Sequence, residues 1–91
     1  MRVVFIVNEA SGNGKACWAQ IEASAIGEYE LFKTKYRYHA TDIVRQLAAT
    51  NESICIVAVG GDGTIHEVVQ GAVGQPNIIV AAFCAGSGND F

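Results

Sequence analysis

The chain has 91 residues, of which 51% are apolar, and its formal net charge at pH 7 is −3. This length suits one small domain with a limited core, since such a chain buries only about two thirds of its unfolded surface. The negative charge argues against a nucleic-acid-binding arm or a general attraction to acidic membranes, so a polyanion would need local amides and a few basic side chains.

Cysteine usage indicates a reducing compartment. Cys17, Cys55 and Cys84 are odd in number and lack the spacing of metal ligands. We therefore expect buried free thiols, no protein metal site and a cytoplasmic location. The first apolar run, Val3–Val7, is too short for a signal peptide or a membrane span.

The first third of the chain predicts a strand, a loop and a helix, followed by a second strand. Val3–Val7 is a continuous β-branched and aromatic run, typical of a buried strand. The loop 9–15 contains two glycines, and a helix is predicted from about Ala16 to Ile26. Residues Tyr29 to Tyr36 alternate loosely, which predicts a half-exposed strand near the edge of a sheet.

The remainder predicts two more helix–strand units. One apolar stripe at helical spacing predicts a helix ending near Thr50, and it consists of Ala40, Ile43, Val44, Leu47 and Ala48. The next predicted strand, Ile54–Val59, leads into a glycine turn and a helix that ends near Gly71 or Gly74. That helix carries the apolar residues Ile65, Val68, Val69 and Ala72. Ile78–Phe83 is a fourth predicted strand, expected to be buried like the first and third.

This alternation predicts an α/β fold: a three-layer α-β-α, Rossmann-like domain with a mainly parallel sheet and helices on both faces. In such sheets ligands bind beyond the carboxyl ends of the strands. Three polar or glycine-rich turns follow predicted strands, at Asn8–Gly14, Gly60–Thr64 and Ala85–Asp90. We expect these turns to converge on one cleft.

The turn Gly60–Thr64 has the composition of an anion site. Glycines allow positive φ and close approach of a ligand to bare amides, and the following helix directs its free N–H groups and positive dipole end at the turn. Phosphate is the usual occupant of such a site. The alternative is a tight strand-to-helix connection in which Asp62 or Thr64 is the N-cap.

Neither common nucleotide loop is present in the first turn. A Walker A loop requires Ser or Thr after the Gly-Lys pair and a glycine upstream, but Gly14-Lys15 is followed by Ala16 and the upstream position is Glu9. A dinucleotide fingerprint would need a third glycine where Cys17 stands.

Together, the three turns resemble the diacylglycerol kinase catalytic domain, a family that includes bacterial diacylglycerol kinases, sphingosine kinases and ceramide kinases. Residues 8–12 (Asn-Glu-Ala-Ser-Gly) resemble the family's Asn-Pro-x-Ser-Gly loop. Gly60–Thr64 with Glu67 is similar to its nucleotide-binding signature, and residues 86–91 (Gly-Ser-Gly-Asn-Asp-Phe) to its third motif. Thr34 matches a threonine that contacts ATP in the bacterial enzymes.

The resemblance implies a lipid kinase that transfers the γ-phosphate of ATP, with Mg²⁺, to a lipid hydroxyl such as that of diacylglycerol. Asp62 would orient a Mg²⁺-bound water or the phosphate loop in support of catalysis, or else cap the helix. The implied nucleotide-binding residues are Asn8, Ser11, Gly12, Thr34, Gly60, Gly61, Asp62, Gly63, Thr64, Glu67 and Ser87.

Two positions depart from the family pattern. Glu9 replaces the usual proline and adds negative charge near the expected phosphate path. His66 stands where asparagine is common, and it is either a half-exposed helix residue or a ligand contact. Neither departure identifies the lipid acceptor.

Family members also have a second, β-rich domain that forms much of the lipid side of the cleft and supplies the catalytic base. Residues 1–91 are therefore expected to be an N-terminal, nucleotide-binding fragment that is inactive alone and self-associates through uncovered apolar surface. The full protein could contact membranes peripherally. The alternatives are an NAD kinase-like enzyme and a non-enzymatic nucleotide-binding or partner-docking module.

Overall fold

The structure is a computed structural model, and it describes residues 2–9 and 28–83. The first of these ranges contains the strand β1 (Arg2–Val7). The second contains β2 (Glu30–Lys33), α1 (His39–Ala48), β3 (Ile54–Val59), α2 (Asp62–Ala72) and β4 (Ile78–Phe83). The helix predicted between Ala16 and Ile26 lies outside the described residues.

The four strands form one sheet in the order β2-β1-β3-β4, and every neighbouring pair is parallel. The central register pairs Arg2 with Ile54 and Val7 with Val59. All four strands therefore end at the same edge of the sheet, which confirms the α/β, Rossmann-like prediction. β2 lies at one side of the sheet, as its mixed polar and apolar sequence predicts.

Helices α1 and α2 pack together on one face of this sheet. The core between them and the strands includes Val4, Ile6, Ile54, Ile56 and Ala58. All five residues of the predicted α1 stripe are buried, which confirms the helical phase predicted from the sequence.

Helix α2 packs three of its four predicted apolar residues against the core, namely Ile65, Val68 and Ala72. Its buried residues are Thr64, Val68 and Gly71, whereas Val69 is 42% exposed. Gly71 is the penultimate residue of the helix, which confirms the predicted end near Gly71 or Gly74, and its missing side chain allows a close contact: a Cβ there would lie 2.7 Å from Val44 Cβ. The helix ends at Ala72, two residues before Gly74 with φ 75°.

The opposite face of the sheet has a smaller cluster, in which Val7 and Val59 are buried beside half-buried Phe5, Leu31 and Val57. The prediction that β4 is a buried strand is wrong. β4 lies at the other side of the sheet, and residues 81–83 are exposed. Composition cannot distinguish an edge strand from a central one when both are apolar.

β2 is shorter than predicted, because sheet pairing with β1 stops at Lys33. The chain then turns through residues 34–38 into α1. At the other end of this strand, Glu30 Oε1 accepts a hydrogen bond of 2.7 Å from Arg2 Nη2, and a second contact joins Arg2 Nε to Glu30 Oε2.

Candidate functional site

The strand order reverses at β1, and this reversal places the segment after β1, which begins with Asn8, beside the end of β3, which leads into Gly60. From β1 the chain moves to β2 on one side, and then returns to β3 on the other side of β1. Ligands of open α/β sheets bind at such a switch point, beyond the carboxyl ends of the strands. Here the Asn8 amide donates to the Val59 carbonyl at 3.3 Å, so the segment after β1 is joined to the end of β3.

Main-chain hydrogen bonds also join the other strand ends along this edge of the sheet. The Thr34 amide donates to the Val7 carbonyl at 2.9 Å, and the Gly60 amide donates to the Phe83 carbonyl at 3.3 Å. Asn8, Thr34 and Gly60 are therefore brought together at one edge, as predicted. Three other predicted residues, Ser11, Gly12 and Ser87, lie outside the described residues, so convergence of the third turn stays a prediction.

Gly60 is required by the backbone of the turn. Its φ is 147°, a region that L-residues with side chains rarely adopt, and a Cβ there would lie 2.9 Å from Thr64 Oγ1. Thr64 itself is only 5% exposed and packs beneath the turn. This pair fixes the path from β3 into α2.

Helix α2 begins differently from the capping alternative considered above. Gly61 is its N-cap and no side chain makes a cap hydrogen bond, so the interpretation of Asp62 or Thr64 as N-cap is wrong. Asp62 is instead an exposed acid in the first turn, where it interacts favourably with the helix dipole. The first intrahelical donors are Thr64 and Ile65, both to the Gly61 carbonyl. The amides of Asp62 and Gly63 therefore have no intrahelical acceptor.

Gly61 and Gly63 differ from Gly60 because the surrounding protein does not demand them. Neither has a positive φ, and a Cβ at either position would meet no atom of residues 2–9 or 28–83 within 4 Å. In the part of the chain that the structure describes, the start of α2 consequently combines amides that have no intrahelical acceptor with open space. This combination suits an anion that approaches the main chain closely.

A cavity of about 320 Å³ lies at the same edge of the sheet, and its lining residues are Asn8, Thr34, Lys35, Tyr36, Arg37 and Glu67. It brings together three predicted residues, Asn8, Thr34 and Glu67. The contribution of Lys35–Arg37 was missed, because the predicted second strand extended to Tyr36. The sequence signal that could have identified these cavity residues is the run of basic and aromatic residues at the end of a predicted strand.

The structure describes the surroundings of Glu9 and His66, the two residues that depart from the family pattern. Glu9 Oε2 lies 3.5 Å from Lys33 Nζ, so its negative charge has a basic neighbour. His66 is exposed and lines a separate groove of about 470 Å³ between the helices, together with Tyr38 and Arg45. The half-exposed interpretation of His66 therefore underestimates its exposure.

Within residues 2–9 and 28–83, no group of three His, Cys, Asp or Glu side chains is arranged to hold a metal ion. Asp62 lies within the glycine turn, and Glu67 is the next carboxylate along the chain. Mg²⁺ in phosphotransfer sites is commonly held by one or two carboxylates together with substrate phosphates and water. The residues present are thus compatible with a metal ion that arrives with a nucleotide.

Comparison with known proteins agrees with this geometry. The family model for the diacylglycerol kinase catalytic domain matches residues 2–91. The chain belongs to this family. A protein of Bacillus subtilis (strain 168) named "Putative lipid kinase YtlR" is 35% identical over 94 residues, which cover 96% of this chain and 30% of that protein.

Human sphingosine kinase 1 is 33% identical over 100 residues, covering 97% of the diacylglycerol kinase-like chain and 26% of the human enzyme. The chain thus spans less than a third of the length of either relative. Both names denote lipid kinases, so the family relationship supports a phosphotransferase of this class. In the described ranges no helix is both long enough and apolar enough to cross a bilayer.

Proposed function

We propose that this chain is the ATP-binding half of a lipid kinase that transfers the γ-phosphoryl group of ATP to a lipid hydroxyl, such as that of diacylglycerol. The observation that carries the proposal is the open space above Gly61 and Gly63, next to amides at the start of α2. Phosphoryl transfer depends mainly on positioning and charge neutralisation. Amide groups at a helix start that phosphate can reach would supply both the positioning and part of the charge neutralisation.

The proposed roles follow from position. The amides of residues 61–63 at the start of α2 would bind phosphate oxygens, while Gly60, whose amide donates to the Phe83 carbonyl, and buried Thr64 fix the turn from below. Asn8, Thr34 and Glu67 would line the nucleotide cavity. The family resemblance adds Ser11, Gly12 and Ser87, through hydroxyl or amide hydrogen bonds, to the same nucleotide site.

Mg²⁺ is part of the proposal because the phosphates of ATP carry charge that glycine amides alone do not neutralise. Asp62, exposed in the first turn of α2, would hold the ion through water. When bound, Mg²⁺ would supply charge neutralisation at the transferred phosphoryl group. The chain's own residues would bind and orient the triphosphate around it.

The proposed activity belongs to a longer, cytoplasmic protein. Its second, β-rich domain would supply the catalytic base and the lipid side of the cleft, so the 91-residue chain would bind ATP weakly and transfer nothing. Reading the gene beyond codon 91 tests this directly. Several hundred further coding bases would support it, whereas an immediate stop codon would favour a nucleotide-binding module.

The sharpest test of the binding site is Gly63→Ala, examined by ATP titration and by unfolding. Alanine in the first turn of α2 should leave stability unchanged or raise it by up to about 1 kcal/mol, since it is the better helix former. The added methyl group would occupy the open space above the amides, so we expect ATP affinity to fall about tenfold, or about 1.4 kcal/mol.

Ser53→Ala is a suitable control, since Ser53 is exposed and lies before β3 at the opposite end of the strands. Its ATP affinity should equal that of the wild type. Unchanged ATP affinity in Gly63→Ala would contradict the proposed phosphate site. A fall in affinity accompanied by unfolding would instead indicate a structural role for this glycine.

A further inference from the structure

The imidazole of His39 accepts the first main-chain hydrogen bond beyond the pairing of β2 with β1. Thr34 is the last residue after β2 whose amide donates to β1, through Val7. The next amide, that of Lys35, donates to His39 Nδ1 at 2.9 Å. The side chain at the start of α1 therefore satisfies the first main-chain donor beyond the sheet and sets the direction in which the chain leaves it.

A second contact joins the same side chain to the turn between β2 and α1. The rings of His39 and Tyr36 stack, with centroids 4.2 Å apart and planes inclined by 16°. The His39 amide also donates to the Tyr36 carbonyl at 3.1 Å. His39 is thus connected to residues 35 and 36 through its ring nitrogen, its ring face and its main chain.

The turn is held in a conformation that it would not adopt easily alone. Tyr38 has φ 69°, a left-handed conformation uncommon for a residue with a side chain. Such a backbone persists where surrounding contacts determine it. The contacts made by His39 on one side, and by the Arg37 guanidinium 5.0 Å from the centre of the Tyr38 ring, provide this constraint.

This constrained turn supplies one wall of the cavity. Lys35, Tyr36 and Arg37 all line it, and their two positive charges exceed the single negative charge of Glu67. The excess is local, because the whole chain has a net charge of −3. A wall with two cations and an exposed ring suits an anionic ligand that also carries an aromatic base.

We propose that His39 is a positioning residue, which holds Lys35, Tyr36 and Arg37 as the basic, aromatic wall of the nucleotide cavity. The proposal rests on the proposed ATP-binding function and adds a residue outside the sequence motifs. His39 itself does not line the cavity and acts through the turn. Its Nδ1 must carry a lone pair for this role, because it accepts the Lys35 N–H.

Two substitutions separate the acceptor from the ring. His39→Phe keeps an aromatic ring against Tyr36 but removes the acceptor. His39→Asn removes the ring and places Oδ1 at about the position of Nδ1, so the Lys35 amide keeps its acceptor. His39→Ala, which lacks both features, provides a second loss variant if His39→Phe unfolds.

The experiment measures the ATP dissociation constant and the hydrogen exchange rate of the Lys35 amide in the 91-residue chain. We expect His39→Phe to raise the dissociation constant about fivefold, as for loss of one organising hydrogen bond. Exchange at Lys35 should become about tenfold faster. His39→Asn should restore both values to within about twofold of the wild type.

Each other outcome overturns a stated part of the proposal. Wild-type ATP affinity in His39→Phe, or equal weakening in His39→Asn, would exclude positioning through the Nδ1 acceptor. Unchanged exchange at Lys35 in His39→Phe would exclude the contact itself. If the wild-type chain binds no ATP, the proposed function fails together with the nucleotide role of His39, and the exchange rates still decide whether the contact exists.

Discussion

The Thr41 hydroxyl on α1 donates a hydrogen bond of 2.7 Å to the Glu67 carbonyl on α2. The donor residue is buried, so its replacement by valine, which is similar in shape, leaves the carbonyl without this partner. We expect Thr41→Val to lower the free energy of unfolding by about 1–2 kcal/mol. Urea unfolding measures this change.

Thr41→Ser is the matched control, because serine keeps the hydroxyl and loses only a methyl group. It should be more stable than Thr41→Val. If valine is as stable as threonine, the hydrogen bond contributes nothing to the packing of α1 against α2. Because Glu67 also lines the proposed nucleotide cavity, ATP affinity should fall together with stability in the valine variant.

Gly71 provides a prediction of opposite sign to that for Gly63. A Cβ at Gly71 would lie 2.7 Å from Val44 Cβ and 2.8 Å from the Thr41 carbonyl oxygen. Gly71→Ala should therefore force the helices apart and destabilise the protein by about 1–3 kcal/mol, despite the better helix propensity of alanine. Thermal unfolding of Gly71→Ala beside Gly63→Ala tests this contrast. Equal stability of the two variants would contradict the close helix contact.

The Arg2–Glu30 pair predicts a dependence of stability on pH. Hydrogen bonding from Arg2 lowers the pKa of Glu30 below its ordinary value of 4.5, against a smaller opposing effect of desolvation. A carboxyl with a lowered pKa in the folded state stabilises the protein above its unfolded pKa and loses this contribution as pH falls through the folded pKa. The stability advantage of wild type over Glu30→Gln should thus be present at pH 7 and disappear below pH 4.5.

The effect should be small, because the two side chains are 29% and 41% exposed and water screens their interaction. Denaturant unfolding at several pH values measures it. Glu28→Gln, at an exposed glutamate nearby, is the control for the loss of one negative charge. A Glu30→Gln difference that persists unchanged at pH 3 would contradict the assignment.

Self-association of the chain stays a prediction, and β4 identifies the surface to test. Ile79 is 51% exposed, and it alternates with Ile78 and Val80, which pack against the core on the helix side of the sheet. Exposed apolar surface of this kind promotes association. Sedimentation at tens of micromolar should show oligomers that Ile79→Lys reduces and Gln46→Lys, on the exposed side of α1, leaves unchanged. A monomeric wild type would disprove the prediction.

The predictions from sequence were most accurate where a periodic pattern reflects burial directly. The α1 stripe was confirmed in full, because its apolar residues contrast with charged neighbours such as Asp42 and Arg45. In α2 the buried position 71 is a glycine, which contributes no hydrophobic signal although it faces α1 so closely that a Cβ there would lie 2.7 Å from Val44 Cβ. The apolar pattern predicted for α2 therefore includes Val69, which the structure exposes, and omits the buried Gly71.

In the candidate site, too, the sequence predicted the features that have a recognisable local pattern and missed those that do not. Gly60 was found because a positive-φ glycine at a strand end has a recognisable sequence context. The wall formed by Lys35, Tyr36 and Arg37 was not found, because it depends on where β2 stops. That boundary is set by pairing with β1, which is remote in sequence, and by the His39 acceptor, a side-chain contact over four residues that apolar periodicity does not reveal.

The central pairing of the sheet has a consequence for how the protein folds. Arg2 pairs with Ile54 and Val7 with Val59, so the two middle strands enclose a loop of about fifty residues, whose closure entropy must be overcome before their contacts form. Parallel pairs separated in this way fold slowly compared with local hairpins or helices. During synthesis, the pairing of β1 with β3 must therefore wait until β3 has left the ribosome, and α1 is the first described helix able to form beforehand from local interactions.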